Sequence, residues 1–400
     1  MGQSIPFGAA VEAQAGQVSA RAGAVAKTDT VPWTIWCMMT GVVCGMIGGP
    51  WDISWHMSIG RDSFWTPAHI MIQLAGVLAG FACAWMILST TFGKDRQAQG
   101  AAVKIWGFRG PLGAFIAVWG CIAMLTSAPF DNWWHNAYGL DVKIVSPPHM
   151  LLSLGSLGIK IGLLALIAGV MSRAVGNARR ILMGMLLFVG ASCVAQMGTV
   201  LTVSTWPVNM HTAACYAAVA IAIPAVLLAP AWASGWKWGC TAVAGIYTAI
   251  LCAFEWILPL FPATPKLGPV YQHITHLVPL HFPLLLIVPA VVLDLLWRGK
   301  DEWGRWKLAL VSGPALMATF MAAQWPFASF LMTPAARGRI FGMGYFAYFD
   351  PAGILYDPYQ FEPTEPVAQF LKLMAIGVIG SVVMARLGFA WGDWMRRMKR

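Results

Sequence analysis

The chain has 400 residues, 58% of them hydrophobic and only 10% charged, with a formal net charge of +10. Soluble domains carry roughly 25% charged residues, so the composition excludes an ordinary soluble fold and points to a polytopic membrane protein. The basic excess then reads as orientation across a bilayer and not as a nucleic-acid surface, and the 21 tryptophans fit two interfacial belts.

In chain order, residues 1–31 come first. They lack the basic start and apolar core of a secretory signal and read as a flexible cytoplasmic tail. The remainder, 32–400, reads as one all-α transmembrane helical bundle of about ten helices. A spanning helix needs about 20 mostly apolar residues, and ten such segments are predicted: 32–50, 69–90, 111–129, 149–171, 181–203, 211–230, 238–257, 279–297, 308–325 and 367–386. The eight cysteines fall inside these apolar runs without a Cys-x-x-Cys pair, as free core thiols do.

Lys and Arg set the orientation. Nineteen of them flank one side of this scheme and six the other, with Lys160 inside the fourth segment. Both termini are therefore expected in the cytoplasm, in a bacterial inner membrane. All eight histidines fall on the opposite, periplasmic side. His69, His149, His211 and His281 each stand at or near the start of an even-numbered segment.

Two loops on that side repeat a pattern. The first reads Asp52-x-x-Trp55-His56-x-x-x-Gly60-x-Asp62, then Thr66-Pro67-x-His69. The second reads Asp131-x-x-Trp134-His135-x-x-x-Gly139-x-Asp141, then Ser146-Pro147-Pro148-His149. Each joins an odd segment to the next even one, so 32–90 and 111–171 are expected to be a duplicated helical hairpin. An Asp and a His four apart share one face of a helical turn, and a proline before the second His stiffens the next helix start. One carboxylate and two imidazoles with open positions suit copper or non-haem iron better than a closed structural zinc site. Asp52, His56 and His69, and likewise Asp131, His135 and His149, are the candidate ligands, with Asp62 and Asp141 as partners that orient the rings. The plain alternative is a pair of interfacial loops whose Trp and His side chains sit among headgroups.

The stretch "WHMSIGRDSFWTPAHI" resembles the signature loop of the C subunit of copper membrane monooxygenases, the particulate methane and ammonia monooxygenase family. That family carries a Trp-His, an Arg-Asp pair and a Phe-Thr-Pro-Ser-His-Ile run. Asp52, His56 and His69 fall on its copper-ligand positions, Arg61-Asp62 and Thr66-Pro67 on the flanking ones. The likeness covers about 20 residues, and residues 131–149 more loosely; Phe64, Trp65, Ala68 and Met71-Ile72 depart from the pattern. It implies copper as cofactor, a small poorly polar substrate and further membrane subunits or a homo-oligomer.

Later segments offer less. In "YQHITHLVPLHFP", His273 and His276 would share a helical face, with His281 five residues on, as a possible third ligand set that Glu255 could support. His211 matches the helix-start positions of His69 and His149. Were the even-numbered helices clustered, His69, His149, His211 and His281 would ring one site and admit a haem. An ionisable group such as Lys160 at mid-membrane is expensive and often functional. The long outer loop 326–366 collects Tyr and acidic residues.

The leading expectation is a copper-dependent membrane oxidoreductase with a periplasm-facing site. A copper-handling protein would favour sulfur ligands, and the outer loops contain Met but no Cys. A proton- or ion-coupled transporter would place acids deep in its helices, whereas here they gather at the helix ends.

Overall fold

The computed structural model describes residues 27–60, 65–139, 145–300, 302–349 and 357–398. The helices run in the order α1 (Trp33–Ser58), α2 (Pro67–Phe92), a six-residue α3 (Arg96–Ala101), α4 (Leu112–Tyr138), α5 (Pro147–Met171) and α6 (Gly176–Val200). They continue through α7 (Ala213–Ser234), α8 (Gly239–Ile257), a ten-residue α9 (Ile287–Leu296), α10 (Arg305–Leu331) and α11 (Val367–Arg397). Between α3 and α4 a hairpin of β1 (Val103–Ile105) and β2 (Phe108–Gly110) turns at Trp106-Gly107, both with positive φ. Among the described residues nine helices are long and apolar enough to cross a membrane. The protein is an all-α multi-pass bundle.

Small residues bring the two N-terminal hairpins together. Gly41 and Gly48 of α1 lie against the α2 backbone, where a Cβ at Gly48 would stand 2.7 Å from the amide nitrogen of Ile72. In the second hairpin Gly113 and Gly120 of α4 face Gly162 and Gly155 of α5; a Cβ at Gly120 would be 2.6 Å from the Gly155 carbonyl. In lipid, helices associate by such close packing and not by expelling water. The two hairpins meet where Gly76 of α2 accepts Leu125 and Met124 of α4.

The eighth predicted span, 279–297, is corrected. Only Ile287–Leu296 is helical; residues 277–286 run as irregular chain through the interior, with Leu277, Val278, Leu284 and Leu286 buried. Pro279 and Pro283 explain this, since each lacks an amide donor and disfavours helix before it. Irregular backbone survives at such depth only if its polar groups are satisfied by protein. Here the Val278 amide donates to Ser58 Oγ at 2.7 Å, Leu284 to Tyr247 Oη at 3.2 Å and Leu285 to Gln324 Oε1 at 2.9 Å.

Of the expected tail, residues 1–26 lie outside the described residues. Thr28 pairs with the α5–α6 turn, its amide donating to Arg173 O at 3.1 Å and its carbonyl accepting from Val175 at 2.9 Å. At that same end Asp294 caps the start of α8 through the amides of Cys240 and Thr241, and Asp393 takes a two-point ion pair from Arg305. Both acids are structural. The eight cysteines are free.

Candidate metal centre

Alternation of the helices gathers the histidines at one end of the bundle. α1 continues past Pro50 for two further turns, so Asp52 and His56 belong to its last turns and not to a separate loop. Thr66 caps α2, its Oγ accepting from the His69 amide at 3.2 Å, and Pro67 occupies the first helical turn. That fixes His69 opposite Asp52. The His69 Nε2 lies 3.1 Å from Asp52 Oδ1, and His56 Nε2 lies 3.7 Å from Asp52 Oδ2. One ligand atom from each of Asp52, His56 and His69 falls within 4.8 Å of the others. Two donors of one ion, each bound at about 2 Å, stand no more than about 4 Å apart. The two carboxylate–imidazole distances fall within this, one at each oxygen of Asp52, so the donor set could hold a metal ion with positions left over.

The later part of the chain walls this end of α1. Ser58 Oγ donates to Ser54 O at 2.6 Å and accepts from Val278; Lys266 donates its amide to Ile59 O and Tyr348 to Met57 O. Gly60 ends the helix at φ +84°, and a Cβ there would stand 2.6 Å from the Tyr348 hydroxyl. Ile59, Leu258, Ala263 and Leu277 form a small apolar cluster beside Trp51 and Trp55.

The second triad repeats the plan on α4 and α5 more loosely, since among the described residues only Asp52, His56 and His69 bring three ligand atoms within 4.8 Å of one another. Pro129 sits two residues before Asp131, as Pro50 does before Asp52. His135 Nε2 is 3.1 Å and His149 Nε2 3.6 Å from the same oxygen, Asp131 Oδ1. His135 Nδ1 faces the Gly139 carbonyl at 3.3 Å, and His149 Nδ1 bonds Ser146 Oγ at 2.9 Å. Both rings therefore turn Nε2 toward the carboxylate, as oriented metal-binding imidazoles do. Gly139 matches Gly60 with φ +87°, yet a Cβ there would meet nothing within 4 Å. The two triads stand on hairpins that pack against each other through Gly76, Met124 and Leu125.

The other histidines go elsewhere. His211 is sandwiched between Trp325 and Phe361, with ring centroids at 4.3 and 3.6 Å, and its Nε2 meets the Trp325 carbonyl at 3.1 Å. His281 packs edge-on against Trp206 at 4.9 Å and His276 against Tyr345 at 5.2 Å, while His273 is exposed. The expected third set does not assemble. Its chain is extended rather than helical, so a spacing of three puts His273 and His276 on no common face. Of the four helix-start histidines, His69 and His149 face aspartates, while His211 and His281 pack against aromatic rings. Asp62 and Asp141 lie outside the described residues. Lys160 bonds neutral partners, Gln196 Oε1 at 2.6 Å and the Ser192 carbonyl at 3.4 Å.

Sequence reasoning missed the wall. Ser58 and Val278 are 220 residues apart, and no local pattern announces such a contact. The glycines at spacing seven in α1, α4 and α5 were a legible signal of hairpin packing. No family model, curated protein or solved structure matches the chain.

Proposed function

We propose that this protein is a copper-dependent membrane oxidoreductase of the monooxygenase type, acting on a small, poorly polar substrate at a site that faces the periplasm. The observation that carries this reading is the convergence of Asp52, His56 and His69 from two helices onto one point. Bound there, copper would supply oxygen activation and electron transfer. The chain supplies the rest. Asp52 places one oxygen toward each imidazole, and Thr66 with Pro67 holds the start of α2 rigid, so that the donors keep open positions. The Ser58–Val278 bond and the apolar residues around Ile59 shield that end of α1 from water and offer an uncharged approach. Asp131, His135 and His149 form a companion site.

Metal analysis of the purified protein is the test. It should contain copper whose electron paramagnetic resonance signal shows nitrogen ligands. His56→Ala and His69→Ala should each remove most of it, and His273→Ala little. Copper unchanged in the first two variants would reduce the loop to an interfacial anchor. Copper present without substrate-dependent oxygen uptake would leave a metal-handling protein. Orientation is checked by reporter fusions, cytoplasmic after Gly100, Gly176 and Gly235 and periplasmic near Pro265; reversal at two sites would overturn it.

A further inference from the structure

Outside the triads the least satisfied polar group is Glu255, near the histidine-bearing end of α8. It is 1% exposed, and neither carboxylate oxygen has a hydrogen-bond partner. Among the described residues no cation pairs with it. With Trp256, Leu260, Arg339, Ile340 and Tyr345 it lines a cavity of about 260 Å³. The roof is built for the carboxylate: Gly342, at φ +65°, passes directly over it, leaving no room for a Cβ. The Trp256 indole pins that loop by donating to the Ile340 carbonyl at 3.1 Å.

A buried carboxyl without a hydrogen-bond partner is costly, and a ligand that brings N–H donors relieves that cost. The cavity states what else the partner carries. Arg339 stands in the same cavity, exposed, without an ion pair to Glu255. Opposite charges sharing a space without meeting complement a zwitterion. The remaining lining is apolar and open outward, with Trp256 51%, Leu260 63% and Ile340 62% exposed, at the level where a spanning helix ends. Aromatic and aliphatic side chains at that depth face headgroups and the first carbons of acyl chains. The volume lies below the usual range for drug-sized ligands and suits a headgroup.

We propose that this cavity binds the phosphoethanolamine headgroup of a membrane lipid, its ammonium donating to Glu255 and its phosphate held by Arg339, with the acyl chains leaving past Leu260 and Ile340. A choline headgroup has no N–H for the two carboxylate oxygens, and a glycerol headgroup has no cation. The inference does not depend on the metal reading.

Native mass spectrometry of the full-length detergent-solubilised protein, offered equal amounts of phosphatidylethanolamine, phosphatidylcholine and phosphatidylglycerol, tests it. Hydrogen bonds to a charged group should favour the ethanolamine lipid about tenfold over each of the others. Glu255→Gln should abolish the preference over phosphatidylcholine. Arg339→Gln, at an exposed position that leaves folding intact, should weaken phosphatidylethanolamine and phosphatidylcholine equally and keep their ratio. Equal retention of the three lipids by the unaltered protein would overturn the proposal, as would an unchanged preference in Glu255→Gln. Competition by ethylammonium chloride as effective as by phosphoethanolamine would make this an amine site and remove the lipid.

Discussion

The two hairpins carry the same letters in different surroundings. In the first, each oxygen of Asp52 takes one imidazole, and residues from the α8–α9 connection and the segment after α10 close over the helix end. In the second, both imidazoles face one oxygen of Asp131, and the helix end is open, with Trp133 53% and Tyr138 68% exposed. In the second triad the Gly139 carbonyl and the Ser146 hydroxyl meet the far nitrogens of the rings, whereas the covered helix end belongs to the first. A repeated motif therefore places its Asp and His residues alike on the two hairpins, while the later half of the chain decides which helix end is covered. Among the described residues only the first triad brings three ligand atoms within 4.8 Å of one another, so the copies should differ in how firmly they keep an ion.

The largest expected effect follows directly. After washing with a moderate chelator, His56→Ala and His69→Ala should contain almost no copper. His135→Ala and His149→Ala should keep most of what the unaltered protein keeps, read by elemental analysis per chain. Equal losses from the two pairs would break the comparison.

Next come the glycines that end the two helices. Gly60→Ala and Gly139→Ala both force a side chain into positive φ, at roughly 1–3 kcal/mol. Only at Gly60 does the new Cβ also meet Tyr348 and Leu267. Thermal unfolding in detergent should show the lower midpoint for Gly60→Ala; the reverse order would mean the cover over the first site is loose.

The covering segment has its own anchor in Glu365, whose carboxylate accepts from the amides of Ala213 and Ala214 at 2.9 and 3.1 Å, at the start of α7. Burial alone would raise its pKa, but these amides outweigh it and hold the group below the ordinary carboxylate value. A depressed folded pKa means stability that is complete above the unfolded value, about 4.3, and is lost as pH falls through the folded one. Glu365→Gln should cost about 0.5–1 kcal/mol near neutrality, allowing for solvent, and flatten the stability curve below about pH 4.3. A variant with the original acid limb would show that the cap carries no weight.

The smallest contrast is between the caps. Thr66→Ala removes a bond to the backbone of α2 and should cost about 1 kcal/mol. Ser146→Ala removes a bond to the His149 ring and should leave the unfolding midpoint within about 0.5 kcal/mol of its starting point. Matching losses would mean Ser146 caps its helix as Thr66 does.

The sequence by itself determined the class of fold, the two hairpins and the pairing of two histidines with one aspartate on each. Hydropathy over 20-residue windows, an Asp–His spacing of four and a Thr-Pro or Ser-Pro before the second His are local constraints, and helices in lipid obey local constraints because their backbone must satisfy itself. Tertiary structure alone decided three things. It broke the eighth span, because Ser58, Tyr247 and Gln324 stood ready to take amides that two prolines had freed from a helix. It withdrew His211, His276 and His281 into aromatic contacts, because a histidine at the membrane edge takes whichever neighbour packing offers. And it covered the end of one helix and not of the other, through contacts between residues up to 220 positions apart, which no spacing along the chain encodes.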